Sequence, residues 1–142
     1  MDIGSLERFT EVQEYFYKIA LEEIRAGEKR SHWMWFVFPQ LRGLGRSPRA
    51  YFYGIADGAE ARAYLAHPVL SARLTEISEA LLAHKGKNPY IIMGDIDGLK
   101  LQSSMTLFAL ISEEGSVFHR VLDAFYGGER DEETVRLLSC GR

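Results

Sequence analysis

The residue types best suited to chemistry lie in a basic and aromatic stretch between Lys29 and Ser47. From Arg25 to Arg49 the chain has six positive residues and a single acid, a local charge of +5, whereas the whole chain carries −3. Both tryptophans, Trp33 and Trp35, fall within this stretch, and an indole can stack on a flat ring such as a nucleobase. His32 precedes them and is the histidine best placed for a functional role.

A glycine-containing loop follows the tryptophans and leads into a predicted helix. Gly43 and Gly45 indicate the loop, and Ser47 followed by proline is typical of a helix start. Such a junction offers backbone N–H groups to an anion; Arg46 can add a bidentate contact, and Ser47 can either cap the helix or bind the same anion. The sequence matches neither the P-loop nor the dinucleotide-binding fingerprint. The plain alternative is that the aromatic residues are core and the arginines are solvated.

A second candidate group lies on a predicted helix that starts at Asp97. Asp97, Lys100, Ser103 and Ser104 are spaced at i, i+3, i+6 and i+7 and therefore share one face of an otherwise apolar helix. This polar stripe either faces solvent or is satisfied inside the protein. In the more specific interpretation Lys100 and one serine point into a cleft, with Asp97 as partner or general base. Asp97 is equally explained as a helix cap.

We hypothesise that the two regions line a common pocket for a phosphorylated or nucleotide-like metabolite, and whether it is enzymatic stays open. The alternative is a non-enzymatic module that binds a protein partner through the Trp33–Ser47 stretch, since Trp and Arg dominate interface hot spots. The candidate ligand-binding residues are His32, Trp33, Trp35, Arg46, Ser47, Asp97, Lys100, Ser103 and Ser104.

Composition excludes several classes of protein. The chain has one cysteine, Cys140, and its four histidines show no metal-binding spacing, so we expect no metal site, no disulfide and no cofactor. The net charge of −3 argues against a dedicated nucleic-acid binder. The longest apolar run, Trp33–Phe38, is too short for a membrane span, and the polar N-terminus lacks the features of a signal peptide. We expect a cytoplasmic protein.

Hydrophobic periodicity and capping residues predict a succession of helices. The first has Ser5 as its cap and ends at Gly27, and the apolar segment Trp33–Phe38 favours a short buried helix over a strand. A loop is expected from Asn88 to Asp95. Further helices are expected to start at Pro48, Asp57, Pro68, Asp97, Val117 and Asp131. Short loops and the lack of alternating strand patterns predict an all-α, single compact domain over residues 1–142.

Four segments of the chain resemble a known protein family. The longest is KRSHWMWFVFPQLRGLGRS, from Lys29 to Ser47, and the others are Glu60–Leu70, Leu99–Phe108 and Phe125–Gly128. In this order they resemble the bacterial family of domain of unknown function 1810. The resemblance implies a small, mainly helical fold and no particular activity, so that no catalytic residue is carried over.

The chain departs from the family pattern at one turn near the second candidate group. It reads Ile96-Asp97-Gly98 where members of that family usually have Pro-Asp-Asp. The second acid is absent, which argues against a paired-carboxylate mechanism at this turn.

Overall fold

The computed structural model describes residues 4–140, and in this range the chain forms nine α-helices and no strand. The helices are α1 Glu7–Ala26, α2 Met34–Val37, α3 Pro48–Phe52, α4 Gly58–Ala66, α5 Pro68–Leu82, α6 Pro89–Met93, α7 Asp95–Leu110, α8 Val117–Tyr126 and α9 Glu132–Ser139. The predicted all-α, single-domain fold is confirmed. Both ends of the predicted 1–142 range, residues 1–3 and 141–142, lie outside the described residues. Within the described part no helix has the length and apolar character needed to cross a membrane.

The four longest helices pack in the order α1, α5, α8, α7. α2 packs on α1, α4 packs on α5, and both α6 and α9 pack on α7. The hydrophobic core runs continuously through this arrangement and includes the fully buried Trp33, Tyr64 and Phe108. α7 is the central element for function because it contacts α6, α8 and α9 while its first turns reach the surface.

Local capping chemistry sets most helix starts. The side chains of Ser47, Asp57, His67, Ser116 and Asp131 each accept a hydrogen bond from a backbone N–H in the first turn of the helix that follows. Such bonds satisfy N–H groups that have no partner within the helix. The sequence-based starts of these five helices are therefore confirmed to within one residue.

Three sequence-based expectations about the elements were wrong. Ser5 is not the cap of α1; Leu6 takes that position, and the Ser5 hydroxyl accepts from the N–H of Glu7. The expected loop from Asn88 to Asp95 contains α6, because Asn88 caps a single turn that begins with proline. α7 begins at Asp95, two residues earlier than expected, after Gly94 with its positive φ of 93°.

The segment Trp33–Phe38 contains the single-turn helix α2, as the sequence favoured. Its residues are buried on both sides of the turn, except for the half-buried Trp35. After Pro39 the chain is fixed by an isolated parallel bridge, in which the N–H of Arg42 donates to Ile55 and the N–H of Ile55 donates to Gln40. The bridge holds the loop that follows α2 against the body of the protein.

A buried arginine ties α1 to α4 and to this bridge. The Arg8 side chain is fully buried and pairs with both carboxylate oxygens of Glu60, at 2.9 and 3.0 Å. It also donates to the backbone carbonyls of Ser5, Phe52 and Gly54. A buried ion pair with this many additional hydrogen bonds fixes the positions of its partners, because leaving the buried guanidinium or carboxylate unpaired would cost free energy. Arg8 therefore fixes the chain just before the bridge.

Candidate functional site

The two regions singled out in the sequence meet at a surface cleft of about 320 Å³, which we call the α7 cleft. One wall comes from the loop after α2, the opposite wall from the first turns of α7, and the end from the start of α9. The lining residues are Gln40, Leu44, Gly45, Ile96, Leu99, Lys100, Ser103, Asp131 and Glu133. Two predicted site residues, Lys100 and Ser103, thus line the same cleft as the glycine loop.

Trp35 connects the cleft to the basic stretch. Its indole is half-buried, and the Nζ atom of Lys100 lies 5.3 Å from its ring centre. The guanidinium carbon of Arg49 lies 5.1 Å from the same ring. Both distances are within the range of cation–π attraction. The Trp35 ring is therefore in contact with one cation of the cleft, Lys100, and with a second cation, Arg49, that does not line the cleft.

The charge of Lys100 is only weakly compensated. Its nearest carboxylate belongs to Asp97, at 4.0 Å, but the other oxygen of Asp97 is 2.8 Å from the Nζ atom of Lys29. Lys29 is only 7% exposed; it also donates to the carbonyl of Ser31 and lies 4.8 Å from the ring centre of Trp33. Because Asp97 is paired with the buried Lys29, the ammonium group of Lys100 remains available to bind an anion.

Trp33 lies in the core and does not reach the cleft. Its indole N–H donates to Glu23 at 2.8 Å, and the same carboxylate accepts from the N–H groups of Arg30 and Ser31 and from the Ser31 hydroxyl. Burial raises the pKa of Glu23, but these hydrogen bonds outweigh it and lower the pKa to about 2. Of the two tryptophans, Trp33 is therefore fully buried, and only Trp35 is partly exposed.

Arg46 and Ser47 lie next to the cleft residue Gly45, and both are exposed. Ser47 uses its hydroxyl oxygen to accept from the N–H of Ala50 at 3.0 Å, so it is the cap of α3. Among the described residues the Arg46 side chain has neither a hydrogen bond nor an ion pair with another group. Of these two residues, Arg46 is the one that can turn towards a ligand.

The polar stripe of α7 runs from the cleft into the protein. Ser103 lines the cleft and donates to the carbonyl of Leu99 at 3.3 Å. Ser104 is fully buried, and its hydroxyl has no hydrogen-bond partner among the described residues. Ser103 is therefore mostly buried at the cleft, and Ser104 lies in the interior. His32 is exposed and lies away from the α7 cleft, in a second depression that also contains Arg49.

Sequence reasoning missed several residues that complete the cleft. Ile96 and Leu99 are large aliphatic side chains that are 71% and 57% exposed at its rim. The signal that could have found them is the apolar character of α7 on every side, which exceeds what one buried face requires. Asp131 and Glu133 come from α9, and only the packing of α9 on α7 places them here.

Comparison with known proteins identifies relatives of this chain. A family model described as a protein of unknown function, DUF1810, matches residues 4–138. The crystal structure of the conserved hypothetical protein Rv1873 from Mycobacterium tuberculosis is similar, with 48% sequence identity and a TM-score of 0.93. The match covers 97% of this chain and 99% of that chain. No protein with a curated description matches. The chain belongs to the DUF1810 family.

Proposed function

We propose that the α7 cleft binds a small phosphorylated metabolite that carries a planar ring, such as a nucleotide-like compound. The observation that carries the proposal is Lys100, which lines the cleft and contacts the half-buried Trp35 while its nearest carboxylate is held by Lys29. The volume of about 320 Å³ suits a small ligand, since ligand sites begin at roughly 300 Å³.

The charges around the cleft indicate which end of the ligand lies where. Lys100 lines the cleft with its nearest carboxylate 4.0 Å away, and Arg46 follows the cleft residue Gly45 in the chain, which favours the phosphate at this end. At the other end, Asp131 already accepts from the N–H and the hydroxyl of Thr134, and Glu133 pairs with Arg136. These carboxylates are suited to accept hydrogen bonds from hydroxyl or amino groups of the same ligand.

Apolar groups provide a place for the ring. Leu44, Ile96 and Leu99 line the cleft, and Trp35 lies beside Lys100 at its edge. A flat ring placed here would cover exposed aliphatic surface and contact the indole, both of which stabilise binding. A ligand with a phosphate and a ring should therefore bind more tightly than either fragment.

Calorimetric titration with adenosine 5′-monophosphate, adenosine and inorganic phosphate tests the proposal. The monophosphate is expected to bind more tightly than the two fragments, and Lys100→Ala is expected to weaken it about tenfold or more, because a hydrogen-bonded charge is removed. Lys87→Ala removes an exposed lysine elsewhere and is the control. Absence of heat with all three probes at millimolar concentration, or equal affinity of Lys100→Ala and the wild type, would contradict the proposal.

The alternative function, protein binding through the Trp33–Ser47 stretch, receives less support. It requires the tryptophans at the surface, whereas Trp33 is fully buried and bonded to Glu23. Trp35 is half-buried, so only part of one indole is at the surface. We therefore place the ligand-binding proposal first.

A further inference from the structure

A smaller depression lies between α1, α2 and α3, and none of its lining residues belongs to the α7 cleft. Its volume is about 150 Å³, and we call it the aromatic pocket. The lining residues are Val12 and Phe16 of α1, His32 before α2, Phe36 of α2, Arg49 of α3 and Tyr53 after α3. The function proposed above uses none of these six side chains.

The floor of the aromatic pocket is a row of rings. Phe36 is buried, with the ring centre of Phe16 at 5.5 Å and that of Tyr53 at 5.3 Å. Phe16 is 39% exposed, which is unusual for a phenylalanine in contact with the core. The volume equals the roughly 150 Å³ at which an apolar cavity accepts benzene. A single six-membered ring therefore matches the space.

The rim carries donors that have no protein acceptor. Arg49 and His32 are exposed, and within the described residues their side chains form no hydrogen bond or ion pair. The contact of Arg49 with Trp35 holds its guanidinium near the pocket. Burial raises the pKa of Tyr53 despite the opposing effect of Arg49 and Arg8, so its hydroxyl stays protonated at neutral pH. None of the six lining residues is acidic.

We propose that the aromatic pocket is a binding site for a small aromatic carboxylate. The ring occupies the space bordered by Phe16, Phe36 and Tyr53, and the carboxylate lies on the guanidinium of Arg49, with His32 as a second donor. A guanidinium binds a carboxylate through two parallel hydrogen bonds, which sets the orientation of the ring as well as its affinity. The proposal does not depend on the function of the α7 cleft.

Nuclear magnetic resonance titration of the full chain with phenylacetate, benzyl alcohol and acetate provides the test. Phenylacetate is expected to bind at about millimolar concentration, as for other ligands of this size, and to shift amide signals of residues that line the pocket. Benzyl alcohol lacks the carboxylate and acetate lacks the ring, so each is expected to bind about tenfold more weakly or worse. Equal binding of phenylacetate and benzyl alcohol, or shifts confined to other surfaces, would overturn the proposal.

Two variants assign the binding to the pocket. Arg49→Gln and Phe16→Ala are each expected to weaken phenylacetate binding about tenfold. Arg49→Gln changes an exposed side chain and should leave thermal stability nearly unchanged, whereas Phe16→Ala also loses the contact with the buried Phe36 and is expected to lower it. Arg130→Gln and Ile19→Ala change exposed residues outside the pocket and are the matched controls. Lys100→Ala is expected to leave phenylacetate binding unchanged, which separates this site from the α7 cleft. Retained affinity in both Arg49→Gln and Phe16→Ala refutes the assignment.

Discussion

Glu23 holds the turn between α1 and α2 by accepting four hydrogen bonds, from two backbone N–H groups, the Ser31 hydroxyl and the indole of Trp33. This turn places Lys29 against Asp97, and Asp97 in turn lies near Lys100. A carboxylate at the end of α1 therefore contributes to the electrostatics of a cleft that it does not touch.

Glu23→Gln is expected to lower the free energy of unfolding by about 2 kcal/mol at pH 7, because an amide nitrogen replaces one of the two accepting oxygens. Chemical denaturation measures the change. Glu22→Gln alters the neighbouring exposed acid and should change stability by less than about 0.5 kcal/mol.

The effect of Glu23→Gln should also depend on pH. The pKa of Glu23 in the folded protein, about 2, lies below the ordinary value of 4.5. The carboxylate therefore stabilises the fold fully above about pH 4.5, and this contribution is lost as the pH falls towards 2. The stability difference between wild type and variant should shrink between pH 6 and roughly pH 3. A difference that stays constant over this range would show that the carboxylate has no such role.

Lys29→Met is expected to destabilise the protein by about 3 kcal/mol, because it leaves Asp97 without its closest partner at a mostly buried position. Thermal and denaturant unfolding provide the measurement. The control is Arg30→Met, since Arg30 pairs with Glu28 at the surface, where an ion pair contributes less than about 1 kcal/mol. Equal losses in the two variants would mean that the Lys29–Asp97 pair is no more important than a surface pair.

At the residue level the sequence predicts some of the residues of the candidate site, but not the contacts that these residues make with distant parts of the chain. The common face of Lys100 and Ser103 follows from the helical period alone, and the structure places both at one cleft. The different positions of Trp33 and Trp35 could not be predicted, because α2 has a single turn with apolar residues on every side. The pairing of Lys29 with Asp97 depends on the start of α7 lying beside the turn that follows α1, which no local pattern encodes.

Among the elements, α6 packs closely on the first turn of α7. Gly98 lies under the ring of Tyr90, and a Cβ atom built on it would be 2.5 Å from the Cδ1 atom of that ring. The carbonyl of Gly98 accepts from the Tyr126 hydroxyl at 2.5 Å, which ties α8 to the same turn. In this chain, a larger residue at position 98 would have to move the Tyr90 ring.

Gly98→Ala is expected to lower the free energy of unfolding by about 1–2 kcal/mol, because the clash with Tyr90 outweighs the better helix propensity of alanine. Gly58→Ala is the matched control: it adds the same methyl group in the first turn of α4, where the nearest atom belongs to the flexible end of Arg62 at 3.2 Å. It should be neutral or slightly stabilising. If Gly98→Ala were as stable as Gly58→Ala, the close packing of α6 on α7 would be disproved.

The elements themselves were largely predictable because their ends are determined locally. Ser47, Asp57 and Asp131 cap the helices that their sequence positions indicated. α6 was missed because asparagine followed by proline is typical of both a loop and a helix start, and five residues give no period. The burial of Arg8 in α1 could not be predicted either, since its partner Glu60 comes from α4.

In the whole molecule, the positive side chains of the basic stretch lie in separate places and several of them have partners within the protein. Lys29 is paired with Asp97, Arg30 is paired with Glu28, and Arg42 donates to the carbonyl of Tyr51. Lys100 and Arg49 line two different small depressions, so these cations do not form one continuous basic surface. This distribution, together with the net charge of −3, favours small anions over nucleic acid.

The most direct test of the central claim uses the two indole N–H signals in a proton–nitrogen correlation spectrum, with Trp35→Phe to assign them. The indole of Trp33 is buried and donates a hydrogen bond to Glu23, whereas the indole of Trp35 lies beside Lys100 at the cleft. Titration with adenosine 5′-monophosphate is predicted to shift the Trp35 signal and the amides of Gly45, Lys100 and Ser103, while the Trp33 signal stays unchanged. The claim that the α7 cleft binds the ligand would be contradicted by a spectrum that does not change at millimolar ligand, or by one in which only signals of residues outside the α7 cleft shift.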